Sequence, residues 1–204
     1  MKKFYKILLF IGLLLLPALV FGQGQETLNY VISYKWGLIH KDAGEAKFIR
    51  TPKGNGYELK VIGKTKPWAD KIFNVRDTLY SYVSKPNYLP SKYVRIAHEK
   101  GKYSRDEINF SRAGSVTKGT GKKIREKKEG EGITTKDINI QGTGQVYDIL
   151  SVFYYLRYIN YGSLKANETV NATIFSGDQV EKLTVSCKGK ENIKLKMFRF
   201  GGIS

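Results

Sequence analysis

The chain has 204 residues, with 35 Lys and Arg against 18 Asp and Glu, a formal net charge of +17 and a single cysteine. A hydrophobic share of 41% excludes a disordered chain, and the length suits one domain with a core of its own. One cysteine excludes an internal disulfide, so packing alone must hold the fold together.

The first residues read as an export signal. Lys2, Lys3 and Lys6 form a positive start, and Val20-Phe21-Gly22 offers a cleavage site before Gln23. Between them, Leu8 to Val20 is an apolar run of about 13 residues, short of the roughly 20 that a membrane span needs. No cysteine stands near the cleavage point to carry a lipid. Residues 1–22 are therefore expected to be a signal peptide, and 23–204 a single β-rich domain, exported and periplasmic. Export argues against nucleic acid as the partner of the basic charge.

From Leu28 to Trp36, Leu28, Tyr30, Ile32, Tyr34 and Trp36 alternate with Asn29, Val31, Ser33 and Lys35, the period of a half-buried strand. Glu45 to Arg50 and Tyr57 to Lys64 continue the pattern around a loop at 52–56. Pro67 suits a first helical position, so one short turn is expected there, carrying Trp68 and Phe73 inward. Val75 to Val83, Tyr93 to Glu99, Tyr103 to Phe110, Ser115 to Lys118 and Ile133 to Ile140 read as further strands.

Positive charge concentrates in Lys118 to Lys128. Gly119-Thr120-Gly121 lacks the spacing and the strand-to-helix context of a phosphate loop, and reads as a turn. On this reading the segment is a solvated hairpin tip. Its Lys122, Lys123, Arg125, Lys127 and Lys128 are candidate contacts to an anionic membrane or glycan surface.

The one long helical signal runs from Gln145 to Gly162. Val146, Ile149, Leu150, Phe153 and Leu156 define an apolar face, and Tyr147, Ser151, Tyr154 and Tyr158 a second stripe. Only Asp148 and Arg157 interrupt the girth with charge, placed to complement the N- and C-terminal ends of the dipole. A helix apolar nearly all round is a buried helix. After it, Val170 to Phe175 and Val180 to Cys187 form a hairpin in which Cys187 is expected to be buried. Ile193 to Phe200 starts a strand whose edge nothing covers, so the domain is expected to be C-terminally incomplete.

These elements predict a mainly β fold: a strongly curved antiparallel sheet or partly open barrel of about ten strands enclosing one long helix. With no alternation of strands and helices, a parallel sheet is not expected.

Several stretches carry a resemblance. They are Trp36-Gly37 with Ala43-Gly44-Glu45-Ala46, Val75-Arg76-Asp77, Leu89-Pro90 with Tyr93 and Arg95, and Tyr147 to Ser151 with Phe153 to Arg157. Together they resemble a family of bacterial exported proteins catalogued as domain of unknown function 3108, over most of the mature chain. The resemblance implies export and continuation by further strands, and implies no activity. Its general form is similar to the lipoprotein-carrier and lipoprotein-receptor class of periplasmic proteins, where a curved sheet encloses an apolar cavity; that comparison is one of architecture.

No residues at metal-ligand spacing and no nucleophile elbow occur, so neither metal, cofactor nor catalytic residue is expected. His98-Glu99 could reach Asp106 across a hairpin, but a histidine there is more commonly solvated. Arg76 and Asp77 must point to opposite faces, so one is inward and paired. The candidate ligand-binding residues are Tyr147, Ser151, Tyr154, Tyr158, Arg76, Arg95 and Arg157, for which core packing and ion pairing are the competing explanation. The expected function is non-enzymatic binding of a lipid or other amphipathic envelope component. The alternative is a structural or assembly factor that docks an envelope protein through its sheet edge and basic loop.

Overall fold

The computed structural model describes residues 24–36, 39–128 and 130–189. Eight strands follow one another in chain order as an antiparallel meander. They are β1 (Glu26–Trp36), β2 (Ile39–Lys53), β3 (Gly56–Thr65), β4 (Val75–Ser84), β5 (Pro90–Glu99), β6 (Lys102–Ala113), β7 (Val116–Glu126) and β8 (Thr134–Thr143). Tight turns make this order possible: between β5 and β6, Lys100 and Gly101 both take positive φ, which matches the twist of the flanking strands. β1 and β8 are the outer strands and do not pair with each other, so the sheet is not a closed barrel. The signal peptide expected over 1–22 and the strand expected from Ile193 to Phe200 lie outside the described residues.

A second sheet, in the order β11-β10-β9, contains β9 (Val146–Asp148), β10 (Thr169–Ser176) and β11 (Gln179–Ser186). Among the described residues the α-helices are α1 (Pro67–Asp70), one turn between β3 and β4, and α2 (Ile149–Arg157), between β9 and β10. β9 and β10 pair in parallel, Ile174 opposite Tyr147. The expectation of no parallel pairing is therefore wrong. β9 has three residues, all buried, too few to show any alternation.

The register explains where the core lies. Arg50, Leu59, Ser81, Tyr93, Ile108, Gly121 and Ile138 stand opposite one another as a row across β2 to β8, on the inner face. The next row is Phe48, Val61, Leu79, Arg95, Asp106, Lys123 and Lys136. The inner face thus turns from apolar to charged within two residues along β5 to β8. Leu59, Tyr93, Ile108 and Ile138 pack under Val146, Leu150, Tyr154 and Phe175 from the second sheet and its helix.

The helical segment is shorter than its apolar spacing predicts, nine residues, and it is not enclosed. Val146 and Tyr147 are extended in β9, and Asp148 stops the helix at its N-terminus. The Asp148 carboxylate accepts from the Leu150 and Ser151 amides, while the Ser151 hydroxyl accepts from the Asp148 amide, a capping box. Leu150, Ser151, Val152 and Tyr154 are buried, but Ile149 and Tyr158 are exposed. The supposed second stripe, Ser151 with Tyr154, is the centre of the buried side.

Three smaller expectations also change. Residues 119–121 are not a turn but the middle of β7, beneath β10. A Cβ on Gly119 would stand 2.7 Å from the Phe175 ring, and one on Gly121 1.8 Å from the Glu107 carbonyl oxygen. Glycine is required there for close packing. In the turn around α1 it is Ala69 that is buried. Trp68 is half-buried, its Nε1 donating to the Asp42 carbonyl, and Phe73 is exposed. Cys187 is half-buried just past the end of β11, not within it.

Candidate functional site

The expected ligand-binding residues fall in separate places. Tyr154 stacks 6.0 Å from Tyr88, which also stacks on Tyr57 at 5.5 Å and Tyr158 at 5.0 Å. Arg50 lies over Tyr57 and Tyr158 and donates to the Tyr88 hydroxyl at 3.1 Å. Arg157 covers Phe153 and Tyr154 and pairs with Glu26 at 2.9 Å. This end of the tyrosine stripe is a column filled by the protein's own rings. Burial pushes Tyr154 up to about 12 and raises Tyr88 as well, so both stay neutral.

Tyr147 sits elsewhere, buried 4.5 Å from the Tyr155 ring, with its hydroxyl donating to Gln145. Ser151 is used by the capping box. Arg76 lies on the outer face, bidentate to Asp70, whose carboxyl the guanidinium and the Thr65 hydroxyl hold down at about 2. Asp77 is the inward member of its pair, bound to Arg95 at 3.0 Å. His98 does not meet Asp106; its ring lies 5.1 Å from that of Tyr103.

Arg95 marks the site that the chain does build. Beyond the row covered by α2 and β9, the inner face of β4 to β7 carries Asp77, Ala97, Ser104 and Arg125 opposite one another. Arg95 bridges Asp77 and Glu99, at 3.0 and 2.5 Å. Arg125 pairs with Asp106 at 2.6 Å, and across the hairpin tip of β10 and β11, Asp178 takes Lys123 and Lys136 at 2.7 and 2.9 Å. A trough of about 430 Å³ runs along this end, walled by Arg95, Glu99, Ser104, Arg125 and Phe73.

Polar groups without partners lie near Arg95, although none of them is in the wall of the trough. Tyr93 is 1% exposed and its hydroxyl has no hydrogen-bond partner, although it lies within electrostatic reach of Asp148, Arg95, Asp106 and Asp77. Asp77 Oδ1 is also buried and unpartnered. Asp106 Oδ1 is close to Arg125, but at an angle that makes no hydrogen bond. Burial raises the Asp77 carboxyl, against the pull of Arg95. Burial also works against the charge on Arg95, while Asp77 and Glu99 hold its pKa above the usual value. Buried polar atoms without partners are uncommon and call for a water, an ion or another molecule; the Tyr154 hydroxyl and Arg50 Nε of the tyrosine column lack a hydrogen-bond partner too.

The five cations expected to meet an anionic surface are divided by β7. Lys123 and Arg125 point inward and are paired, Lys122 lies on the outer face, and Lys127 and Lys128 are exposed beyond the end of the strand. A wider groove of about 690 Å³ crosses the outer face over Tyr80, Tyr82, Val94 and Ile96. Its cations are already used, Lys53 by Glu58 and both Lys92 and Arg105 by Glu107, so it shows none of the unmet polarity near Arg95. Among the described residues no group of His, Cys, Asp and Glu is arranged to hold a metal ion.

Sequence reasoning singled out Arg95 and left open which of Arg76 and Asp77 faces inward; it missed Tyr93 and Ser104, and took Asp106 only as a partner for His98-Glu99. The available signal was β5, where Tyr93, Arg95, Ala97 and Glu99 share the inward side: charge at alternate inward positions marks a face that is not simply core.

A family model described as Protein of unknown function (DUF3108) matches residues 29–201. No curated protein and no solved structure matches the chain.

Proposed function

The chain belongs to the family described as Protein of unknown function (DUF3108), and from that premise we propose an exported, non-enzymatic protein that binds an amphipathic envelope component by its head group. The head group occupies the trough. Arg95 and Arg125 meet its anionic part, and Asp77 and Glu99 its donors. A zwitterionic or hydroxylated head suits this mixture better than a plain anion, because both arginines are already paired with carboxylates. The apolar part leaves past Phe73.

The Tyr93 hydroxyl, buried and unpartnered beside this trough, is the observation that carries the reading. The filled tyrosine column argues against a deep apolar cavity along α2, so the tail is not engulfed. Lysophosphatidylethanolamine titrated into detergent-free protein, followed by calorimetry and native mass spectrometry, tests it. One-to-one binding is expected, weakened about tenfold by Tyr93→Phe and by Arg125→Ala. No binding, or equal binding by both variants, overturns the reading.

A second reading, docking of an envelope protein, is favoured by β1. Its outer edge is unpaired in the eight-stranded sheet, and Tyr30, Val31 and Ile32 are exposed on it. An added strand would pair there through its backbone. Cross-linking from position 29 that recovers one partner, and fails when Val31→Pro is added, is the expected result on that reading.

A further inference from the structure

In a meander, alternate connections emerge at the same end of the sheet. The segments joining β3 to β4 (66–74), β5 to β6 (100–101) and β7 to β8 (127–133) therefore form one rim. This rim carries large apolar side chains in the open: Ile72 is 71% exposed, Ile133 65% and Phe73 42%. Ile72 and Ile133 are the most exposed of the large apolar side chains among the described residues, and all three stand at loop positions. At the opposite end, the turns 54–55, 85–89 and 114–115 show no exposed large apolar side chain among the described residues.

Lysines surround the three. Lys71 precedes Ile72, and Lys100 places its Nζ 4.8 Å from the centre of the Phe73 ring. Lys102 shares a groove with Ile133 and Tyr103. Lys127 and Lys128 are exposed where β7 ends. Glu126 and Glu131 lie at the same end, and Glu126 accepts the Gly130 amide. Aliphatic and aromatic tips set among exposed lysines are the combination that seats a protein in the interface of an anionic bilayer. The tips enter at the acyl boundary and the ammonium groups meet the phosphates.

We propose that this rim docks the protein onto an anionic lipid bilayer, with Ile72, Phe73 and Ile133 inserted and Lys71, Lys100, Lys102, Lys127 and Lys128 against the lipid phosphates. No helix among the described residues is long and apolar enough to cross a membrane, and the docking needs none. It is peripheral and reversible. The docking stands on the rim alone, whatever the trough holds. Because Phe73, Lys100, Lys102 and Lys127 also line the trough, docking would turn its mouth toward the lipid head groups.

Co-sedimentation with vesicles tests the proposal. Full-length mature protein is mixed with vesicles of phosphatidylglycerol and phosphatidylcholine, or of phosphatidylcholine alone, at low and raised salt. Binding to the anionic vesicles is expected, weaker by about tenfold without phosphatidylglycerol or at raised salt. The double variants Ile72→Ser/Phe73→Ser and Lys127→Glu/Lys128→Glu are each expected to lose about tenfold in partitioning. All four positions are exposed, so the thermal unfolding profile should stay that of the wild type. Equal pelleting with neutral vesicles, or variants that pellet like the wild type, overturns the docking; so does recovery only on a protein partner. A protein that binds lysophosphatidylethanolamine but no vesicle would sink the docking and leave the trough reading intact, and the reverse result would do the opposite.

Discussion

The Asp148 carboxylate and the Ser81 hydroxyl lie 2.6 Å apart, 67 residues apart in the chain. The bond joins the start of α2 to the centre of β4 and is fully buried. It ties the second sheet and its helix to the inner face of the first.

The pH dependence of stability should report this carboxylate. Burial pushes the Asp148 pKa up to about 6, against the hydrogen bonds from Ser81, Ser151 and Leu150. A raised acid binds its proton in the folded state after the unfolded chain has released it. Its contribution is therefore fully present below about pH 4, is lost as the pH rises from there through about 6, by about 3 kcal/mol in all, and then levels off. Asp148→Asn keeps an acceptor for the two amides and a donor for Ser81, and asparagine caps helices well. Urea midpoints from about pH 4 to about pH 7.5 should show the wild type losing stability relative to this variant. A constant difference across that range would refute the assignment. Asp148→Ala, which loses cap and bridge together, should be about 2 kcal/mol less stable than Asp148→Asn at any pH in the range.

Gly119 is predicted to couple to Phe175. Gly119→Ala should cost about 2 kcal/mol, because its methyl enters the ring. Phe175→Leu should cost a similar amount in the wild type and less in the Gly119→Ala background, so a double-mutant cycle in denaturant gives a favourable interaction term. Additive losses would mean that the two do not touch.

Tyr93→Phe should leave the ligand-free protein as stable as the wild type, or more stable by about 1 kcal/mol, since the lost hydroxyl had no partner to lose. Tyr154→Phe should behave likewise. Tyr147→Phe, which removes a bond to Gln145, should cost up to about 1 kcal/mol. Thermal melts of the three variants separate these outcomes. A clear loss in Tyr93→Phe would mean that its hydroxyl is already satisfied within the fold.

The Arg157 and Glu26 pair attaches the end of α2 to β1, yet both side chains are partly exposed. Glu26→Gln should therefore cost no more than about 1 kcal/mol, and less in high salt. A loss of several kcal/mol in the urea midpoint would show that the pair is a main tie between β1 and the rest.

Much of the fold was legible from local pattern. The alternation in Tyr57 to Lys64 and Val75 to Val83 marked strands because one side of each is buried, and that in Leu28 to Trp36 marked a strand although Tyr30, Val31 and Ile32 are exposed. The capping Asp148 was legible too, from charge set against apolar neighbours, and so was the opposition of Arg76 and Asp77, though not which of the two faces inward. β7 was not legible. Its Gly119 and Gly121 look like turn residues, and only Phe175, 56 positions beyond Gly119, and the Glu107 carbonyl of β6, against Gly121, explain why they have no side chains. The tyrosines of α2 could be counted, but whether they faced a ligand or Tyr88 could not.

By itself, then, the sequence determined the mainly β class and the apolar helical segment, because period and composition act over neighbouring residues. The tertiary structure alone decided the rest. It shortened the helix to nine residues, paired β9 with β10 in parallel and filled the tyrosine column. It also brought Tyr93, Asp77 and Asp106 around Arg95, which stands in the wall of the trough. Those outcomes depend on which strands register with which across long stretches of chain, and on whether a buried polar atom finds a partner. Neither is a property of any one segment.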